Sequence, residues 1–201
     1  MTVPGVILAG GLARRMGGGD KGRLMLGGQS LLSHVITRLR PQVGDLALNA
    51  NGDPARFADL GLPVLADGVA DFPGPLAGVL AGLDWAALSG ASHIVTAAAD
   101  TPFFPADLVS RLSDAADAAG VQIALAATPG PQKPLRHPTF GLWPVALRDD
   151  LRAALATGLR KVVLWTDAHG AATALFPATP FDPFFNVNTP EDLARAERMA
   201  S

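Results

Sequence analysis

Cysteine is absent from all 201 residues. Its absence excludes disulfides, thiolate zinc sites, iron–sulfur clusters and a cysteine nucleophile, so any metal must be held by oxygen or histidine. No acidic or basic block is long enough to read as a disordered tail, and charged residues make up only 17% against 49% hydrophobic, the balance of an ordered globular chain. The formal net charge of −2 leaves no broad basic surface for nucleic acid. Long hydrophobic runs are missing as well. The longest uncharged stretch in the middle, Trp85 to Ala99, is broken by Ser89-Gly90 and falls short of the ~20 apolar residues of a spanning helix. No positive start precedes the first apolar run, and Arg14-Arg15 leads into glycines, so export signals are unsupported and a cytoplasmic location is expected.

The most informative stretch runs from Val6 to Lys21, where a short apolar segment opens into Gly10-Gly11, Arg14-Arg15 and Gly17-Gly18-Gly19-Asp20-Lys21. Glycine lets a backbone approach a ligand closely, and Arg14, Arg15 and Lys21 add positive charge to peptide N–H groups that already favour anions. Nucleotide handling is the first expectation. Gly17 to Gly22 satisfies G-x-G-x-x-G, but too far beyond the strand to be a dinucleotide-binding turn. A Walker loop fails too, since Lys21 lies between Asp20 and Gly22.

Apolar strands and helical spacings then alternate. Val3 to Ala9, Asp45 to Ala50, Leu62 to Ala66 and Ser92 to Ala99 read as strands buried on both faces. Between them, helices are predicted over Ser30 to Leu39, with Ser30 as N-cap, around Ala55 to Leu60, and from Pro75 to Leu88, where Gly78 and Gly82 allow close packing on a sheet. Another helix is predicted over Pro105 to Ala119. The second half is less regular. It offers strands at Gln122 to Ala127, Pro138 to Trp143, Thr173 to Phe176 and Phe184 to Val187, and helices over Val145 to Ala156, Arg160 to Ala168 and Pro190 to Met199. The expected fold is α/β with a mostly parallel central sheet, in one domain spanning residues 1–201, because no repeat or linker marks a boundary.

Ligands of open α/β sheets gather outside the carboxyl ends of the strands. Those ends carry the glycine loop, Asn49, Asp67 and Asp100. Asp100 could equally cap the following helix, but its position at the end of a buried strand makes a metal role competitive, and Mg²⁺ suits one carboxylate working with substrate phosphates and water. Asp67 is evenly balanced between a turn and a site. The four histidines show no zinc spacing; His34 and His93 read as packing or surface residues, while His137 lies in the Arg136-His137-Pro138-Thr139 turn, either a structural loop or a second ligand site.

Taken together, Leu8-Ala9-Gly10-Gly11, Arg14-Arg15-Met16-Gly17-Gly18, Asp20-Lys21, Asn49-Ala50-Asn51, Asp71 to Gly78, Asp100-Thr101-Pro102 and Phe185 to Glu191 resemble the molybdenum cofactor guanylyltransferases, the MobA-type nucleotidyltransferases. The blocks span nearly the whole chain. The first is shared with nucleotidyltransferases in general, and the combination with Asn186-Val187-Asn188-Thr189-Pro190-Glu191 is far more specific. The departures are Leu12, where a polar residue is common, and Ala99, where cysteine is frequent.

The resemblance implies a three-layer, Rossmann-like nucleotidyltransferase domain that transfers GMP from Mg-GTP to the phosphate of molybdenum-molybdopterin and releases pyrophosphate. It assigns Leu8, Ala9 and Gly10 to the guanine side, Lys21 to phosphate, Asn49 and Asp67 to further GTP contacts, and Asp100 to Mg²⁺. Arg15 joins Lys21 and Asp100 in catalysis. Arg136, His137, Asn186 and Asn188 are candidates for the acceptor. GTP and molybdenum-molybdopterin are the implied partners, with room for transient contact with cofactor-insertion proteins or molybdoenzymes, and neither nucleic acid nor membrane is expected. The alternatives are a related cytidylyl- or sugar-nucleotidyltransferase and a non-catalytic GTP-binding module; the latter lacks a Walker loop and an Asn-Lys-x-Asp guanine motif.

Overall fold

A computed structural model of the chain describes residues 2–10, 20–69 and 74–200. The first strand, β1 (Gly5–Leu8), is followed by a hairpin of β2 (Met25–Leu26) and β3 (Gln29–Ser30), then helix α1 (Leu31–Leu39), β4 (Leu46–Asn49) and β5 (Val64–Leu65). Next come α2 (Pro75–Leu88), β6 (His93–Ala98), α3 (Leu108–Ala119), β7 (Ala124–Thr128) and β8 (Leu135–Pro144). Helices α4 (Arg148–Ala156) and α5 (Val162–Ala168), strand β9 (Ala172–Leu175) and helix α6 (Pro190–Ala200) complete the order.

Among the described residues the main sheet has seven strands in the order β5-β4-β1-β6-β8-β7-β9. Four of its pairings are parallel and only β8, against β6 and β7, runs antiparallel, so the sheet is mostly parallel as expected. Strand residues alternate between two cores. Ile7, Val95, Ala97 and Leu142 pack with Leu32, Val35 and Leu39 of α1 and Leu108 and Leu112 of α3. Val6, Ile94, Leu125 and Trp143 face the other way, toward Leu76, Leu80 and Leu83 of α2, Leu151 of α4 and Trp165 of α5. The result is the three-layer arrangement of a sheet with helices on both sides.

Helix α2 is apolar over most of its surface because it lies between the sheet and α4; its one charged residue, Asp84, pairs with Arg148 and Arg152. Its closeness to the sheet depends on Gly78 and Gly82. A Cβ on Gly82 would sit 2.8 Å from both Val6 Cγ2 and Ile94 Cδ1, and one on Gly78 would overlap the Asn49 carboxamide oxygen and sit 2.8 Å from Leu8 Cδ2.

Ser30 caps α1 as predicted, accepting a hydrogen bond from the Ser33 backbone N–H at 3.1 Å. The short helix expected around Ala55 to Leu60 is a 3₁₀ helix over Pro54–Leu60. One expectation needs correction. Phe184 to Val187 joins no sheet: Phe184 lies in a turn closed by the Phe185 N–H on the Asp182 carbonyl at 3.2 Å, and the Val187 N–H bonds the Asp100 carbonyl at 2.9 Å. Aromatic packing of Phe184 on Phe140, Phe176 and His137 holds this segment in place instead of a strand ladder. The β2–β3 hairpin was not anticipated, although its two-residue Gly27-Gly28 turn, with φ of 57° and 85°, is a recognisable signal. Together with α6 the hairpin forms a small third core around Leu26, Leu31, Val187 and Ala196.

Candidate active site

Strand β1 sends its connection toward β4 and β5, whereas β6, its neighbour on the other side, leads toward β7 and β8. Chain leaving in opposite directions opens a crevice between the two carboxyl ends. A cleft of about 680 Å³ opens there, lined by Leu8, Ala9 and Gly10 from β1, Asn49, Asn51 and Asp67 from the β4–β5 side, and Ala98, Ala99 and Asp100 from β6. Lys21, Gly22, Val69, Gly74, Pro75, Thr139 and Asn186 complete its lining.

One wall is a polar clamp. Asn49, the last residue of β4, is 4% exposed, and its amide donates to the Leu65 carbonyl at 3.0 Å and to Asp67 Oδ1 at 2.8 Å. The other Asp67 oxygen accepts from Asn51 Nδ2 at 2.7 Å, while Asn51 Oδ1 takes the Asp67 N–H at 2.8 Å. A buried amide is tolerated only when hydrogen-bonded, and this set fixes the Asn49 and Asp67 side chains in one arrangement. Gly78 makes room for it, since any side chain there would displace the Asn49 oxygen.

The facing wall concentrates charge. Lys21, at the start of a short 3₁₀ turn, donates to Asp100 Oδ2 at 2.8 Å and to the side-chain oxygen of Asn188. The Lys21 and Asp100 side chains are 17% and 19% exposed, so their charges lie where water screens them less than on an open surface. The neighbouring Thr101 is fully buried, and its hydroxyl donates to Asn186 Oδ1 at 2.6 Å. Residues 186–188, though distant in the chain, are thereby tied to Asp100-Thr101 through the Asn186 side chain, the Val187 N–H and the ammonium that Asn188 shares with Asp100. The first turn of α2 at Gly74-Pro75 also borders the cleft, and the free N–H groups of a helix start favour an anion.

The donor set suits a hard cation that keeps water and substrate oxygens. Among the described residues no three His, Asp or Glu side chains are grouped to cage a metal. Asp100 stands at the cleft as one carboxylate, with the carboxamide oxygen of Asn188 meeting the same Lys21 ammonium and that of Asn186 on Thr101. Magnesium, which takes one or two carboxylates alongside phosphate and water, fits that arrangement.

Of the residues singled out from sequence, Leu8, Ala9, Gly10, Lys21, Asn49, Asp67, Asp100 and Asn186 meet at this cleft, and Asn188 reaches it through Lys21. Arg14 and Arg15 lie outside the described residues, as do Asp71, Phe72 and Pro73 of the Asp71 to Gly78 block. Arg136 and His137 are not among the residues that line this cleft. Arg136 pairs with Asp167 at 2.5 Å, and His137 stacks on Phe184 at 4.4 Å with Nε2 3.0 Å from the Thr128 hydroxyl. Burial lowers the His137 pKa despite the opposing charge of Asp182.

Thr139 is a cleft residue that sequence reasoning missed. Between the pairings Leu125 with Gly141 and Ala126 with His137, β8 spends three extra residues, Pro138 to Phe140, in a bulge. The Thr139 carbonyl accepts from the Thr96 hydroxyl at 2.9 Å. Pro138 headed the strand predicted from sequence, a position that proline tolerates; only the longer observed strand, Leu135–Pro144, puts it inside, where it cannot donate to the ladder and marks a bulge.

The sequence model of MobA-like NTP transferase domains matches residues 5–171. A protein of Bradyrhizobium sp. (strain ORS 278) named molybdenum cofactor guanylyltransferase is 56% identical over 203 residues, covering 100% of this chain and 94% of the other. The crystal structure of molybdopterin-guanine dinucleotide biosynthesis protein A from Archaeoglobus fulgidus superposes with a TM-score of 0.73 at 25% identity, covering 98% of each chain. The 2-C-methyl-D-erythritol 4-phosphate cytidylyltransferase of Thermus thermophilus, at 23% identity, shares the fold with a TM-score of 0.72 over 100% of this chain and 99% of its own.

Proposed function

This chain belongs to the MobA-like NTP transferase family and is a nucleotidyltransferase, and from that membership we propose that it transfers GMP from GTP to the phosphate of molybdenum-molybdopterin, releasing pyrophosphate. One observation carries the proposal. The Lys21–Asp100–Asn186 wall faces the Asn49–Asp67 clamp across a cleft large enough for a nucleotide.

In this reading Leu8, Ala9 and Gly10 meet the guanine through the backbone, Asn49 and Asp67 hold the nucleoside, and Lys21 takes the phosphates with Arg15. A phosphate monoester has its second pKa near ~6, so the acceptor oxygen is ionised at neutral pH and needs no general base. The barrier lies in bringing two anions together and in the charge that builds on the α-phosphoryl group and leaving pyrophosphate. Lys21 meets that charge with a pre-positioned ammonium, its place set by Asp100 and Asn188. Asp100 would hold Mg²⁺, which when bound supplies Lewis-acid stabilisation of phosphoryl oxygens. For the acceptor, the geometry favours Asn186 over Arg136 and His137, whose partners hold them outside the cleft lining.

The test is pyrophosphate release from GTP or CTP with Mg²⁺, with and without molybdenum-molybdopterin. Release that requires both GTP and the acceptor is expected. Preference for CTP would make the protein a cytidylyltransferase, and GTP binding without acceptor-dependent release would leave a binding module. With a chiral α-thiophosphate, direct in-line attack gives inversion; retention would reject it.

A further inference from the structure

The 3₁₀ helix at residues 54–60 carries an exposed arginine with more partners than a surface residue needs. Arg56 Nε lies 3.0 Å from the Asp20 carboxylate, and its Nη2 donates to the Asn51 carbonyl at 2.5 Å. Its guanidinium covers the ring of buried Phe57 at 4.9 Å. Arg23 packs on the same ring at 5.2 Å and donates to the Arg56 carbonyl at 2.6 Å, while a two-pronged bond to Asp59, at 2.7 and 2.6 Å, anchors Arg23 itself. That pairing raises the Arg23 pKa and lowers the Asp59 carboxyl.

The acceptors of Arg56 adjoin the two sides of the cleft, Asp20 as the chain neighbour of Lys21 and Asn51 as a lining residue. Asp20 immediately precedes Lys21 on the charged wall, and Asn51 is the residue that clamps Asp67 on the other. Space for the guanidinium comes from Gly52, whose φ is +87° and where a Cβ would approach Arg56 Nη1 to 2.9 Å. We propose that Arg56 is a positioning residue that sets the spacing between the Asn49–Asp67 clamp and Lys21, so that the two ends of one nucleotide are held in register. The proposal rests on the nucleotide-binding reading above.

A planar fork holds two acceptors at a fixed separation and direction; a lysine ammonium, a compact charge with three rotatable donors on a flexible stem, does not fix their spacing. The Arg56 side chain is 35% exposed, and an ion pair with one partner open to solvent contributes little to stability. Its effect belongs instead to alignment, where an ångström of displacement costs roughly 10²-fold in reactivity.

Arg56→Met and Arg56→Lys in the full chain separate alignment from folding. Displacement of a fluorescent GTP analogue reads the affinities for GTP, guanosine and tripolyphosphate. In Arg56→Met, GTP affinity is expected to fall by about 10-fold or more, with guanosine and tripolyphosphate each within about twofold of the unaltered protein. Arg56→Lys recovers only part of the loss. The melting temperature moves by no more than about 4 °C, the scale for a half-exposed ion pair in a chain of this length. Asp20→Asn added to Arg56→Met is expected to cost no further GTP affinity, as for two residues acting through one link. Unchanged GTP affinity in Arg56→Met overturns the assignment, and so does a parallel fall for all three ligands, which means damage to each wall separately. Failure of the unaltered protein to bind GTP overturns the functional reading and Arg56 with it, an outcome distinct from the other two.

Discussion

Asp100 is engaged on both sides of its backbone: its carboxylate meets Lys21 at 2.8 Å and its carbonyl accepts the Val187 N–H at 2.9 Å. Replacing it by asparagine keeps the shape and an acceptor for Lys21 while removing the negative charge. If Asp100 anchors the metal, Asp100→Asn lowers turnover by roughly 10²-fold, the usual loss on removing one transition-state stabiliser. Acceptor-dependent pyrophosphate release measures it, and near-normal Mg²⁺-dependent turnover would take Asp100 out of the mechanism. The position of Asp100 was legible in the sequence because an apolar run stopped there. The Lys21 and Asn188 partners were not, since neither separation along the chain nor residue type specifies which distant side chains meet.

Helix α6 shows how an element far from the sheet enters the site. Thr189 accepts from the Asp192 N–H at 3.2 Å, and the Asp192 carboxylate accepts from the N–H groups of Asn188 and Thr189 at 2.9 and 3.0 Å. This reciprocal cap, legible as Thr-Pro-Glu-Asp, closes the helix start and fixes the backbone of Asn188 on its way to Lys21. Thr189→Ala is expected to cost about 1 kcal/mol and to lower the melting temperature by about 2–4 °C. Nucleotidyl transfer falls further than the stability loss explains, because Asp192, whose carboxylate holds the Asn188 N–H, is no longer fixed by the Thr189 hydroxyl. Calorimetry and pyrophosphate release on the same variant check both parts; full activity despite the lower melting temperature would confine the cap to folding. The hairpin and the bulge in β8 were harder to anticipate. Both hinge on a few residues, Gly27-Gly28 and Pro138, whose local signal is outweighed by longer apolar periodicities.

Across the whole molecule, two histidines couple folding to pH. Burial lowers the pKa of His93, against the opposing charge of Asp117, and of His137, against that of Asp182. The folded state then binds fewer protons than the unfolded chain below the ordinary histidine value near ~6.5. Stability is held above that value and is lost as pH falls through it toward the depressed folded-state pKa. Thermal unfolding should therefore show a lower melting temperature at about pH 5.5 than at about pH 7.5. His137→Phe, which keeps a ring to stack on Phe184, should reduce that difference; an unchanged difference would remove His137 from the linkage.

The sequence by itself determined the alternation of apolar strands and amphipathic helices, the glycines that let α2 approach the sheet, and the polar residues at four strand ends. These are local properties, set by periodicity, side-chain size and backbone freedom within a few residues. Tertiary structure alone decided that β8 would run antiparallel with a bulge delivering Thr139, that residues 186–188 would meet Asp100-Thr101, and that Arg136 and His137 would pair with Asp167, Thr128 and Phe184. Each of those outcomes depends on which distant surfaces bury one another, and that competition is resolved only when the whole core packs.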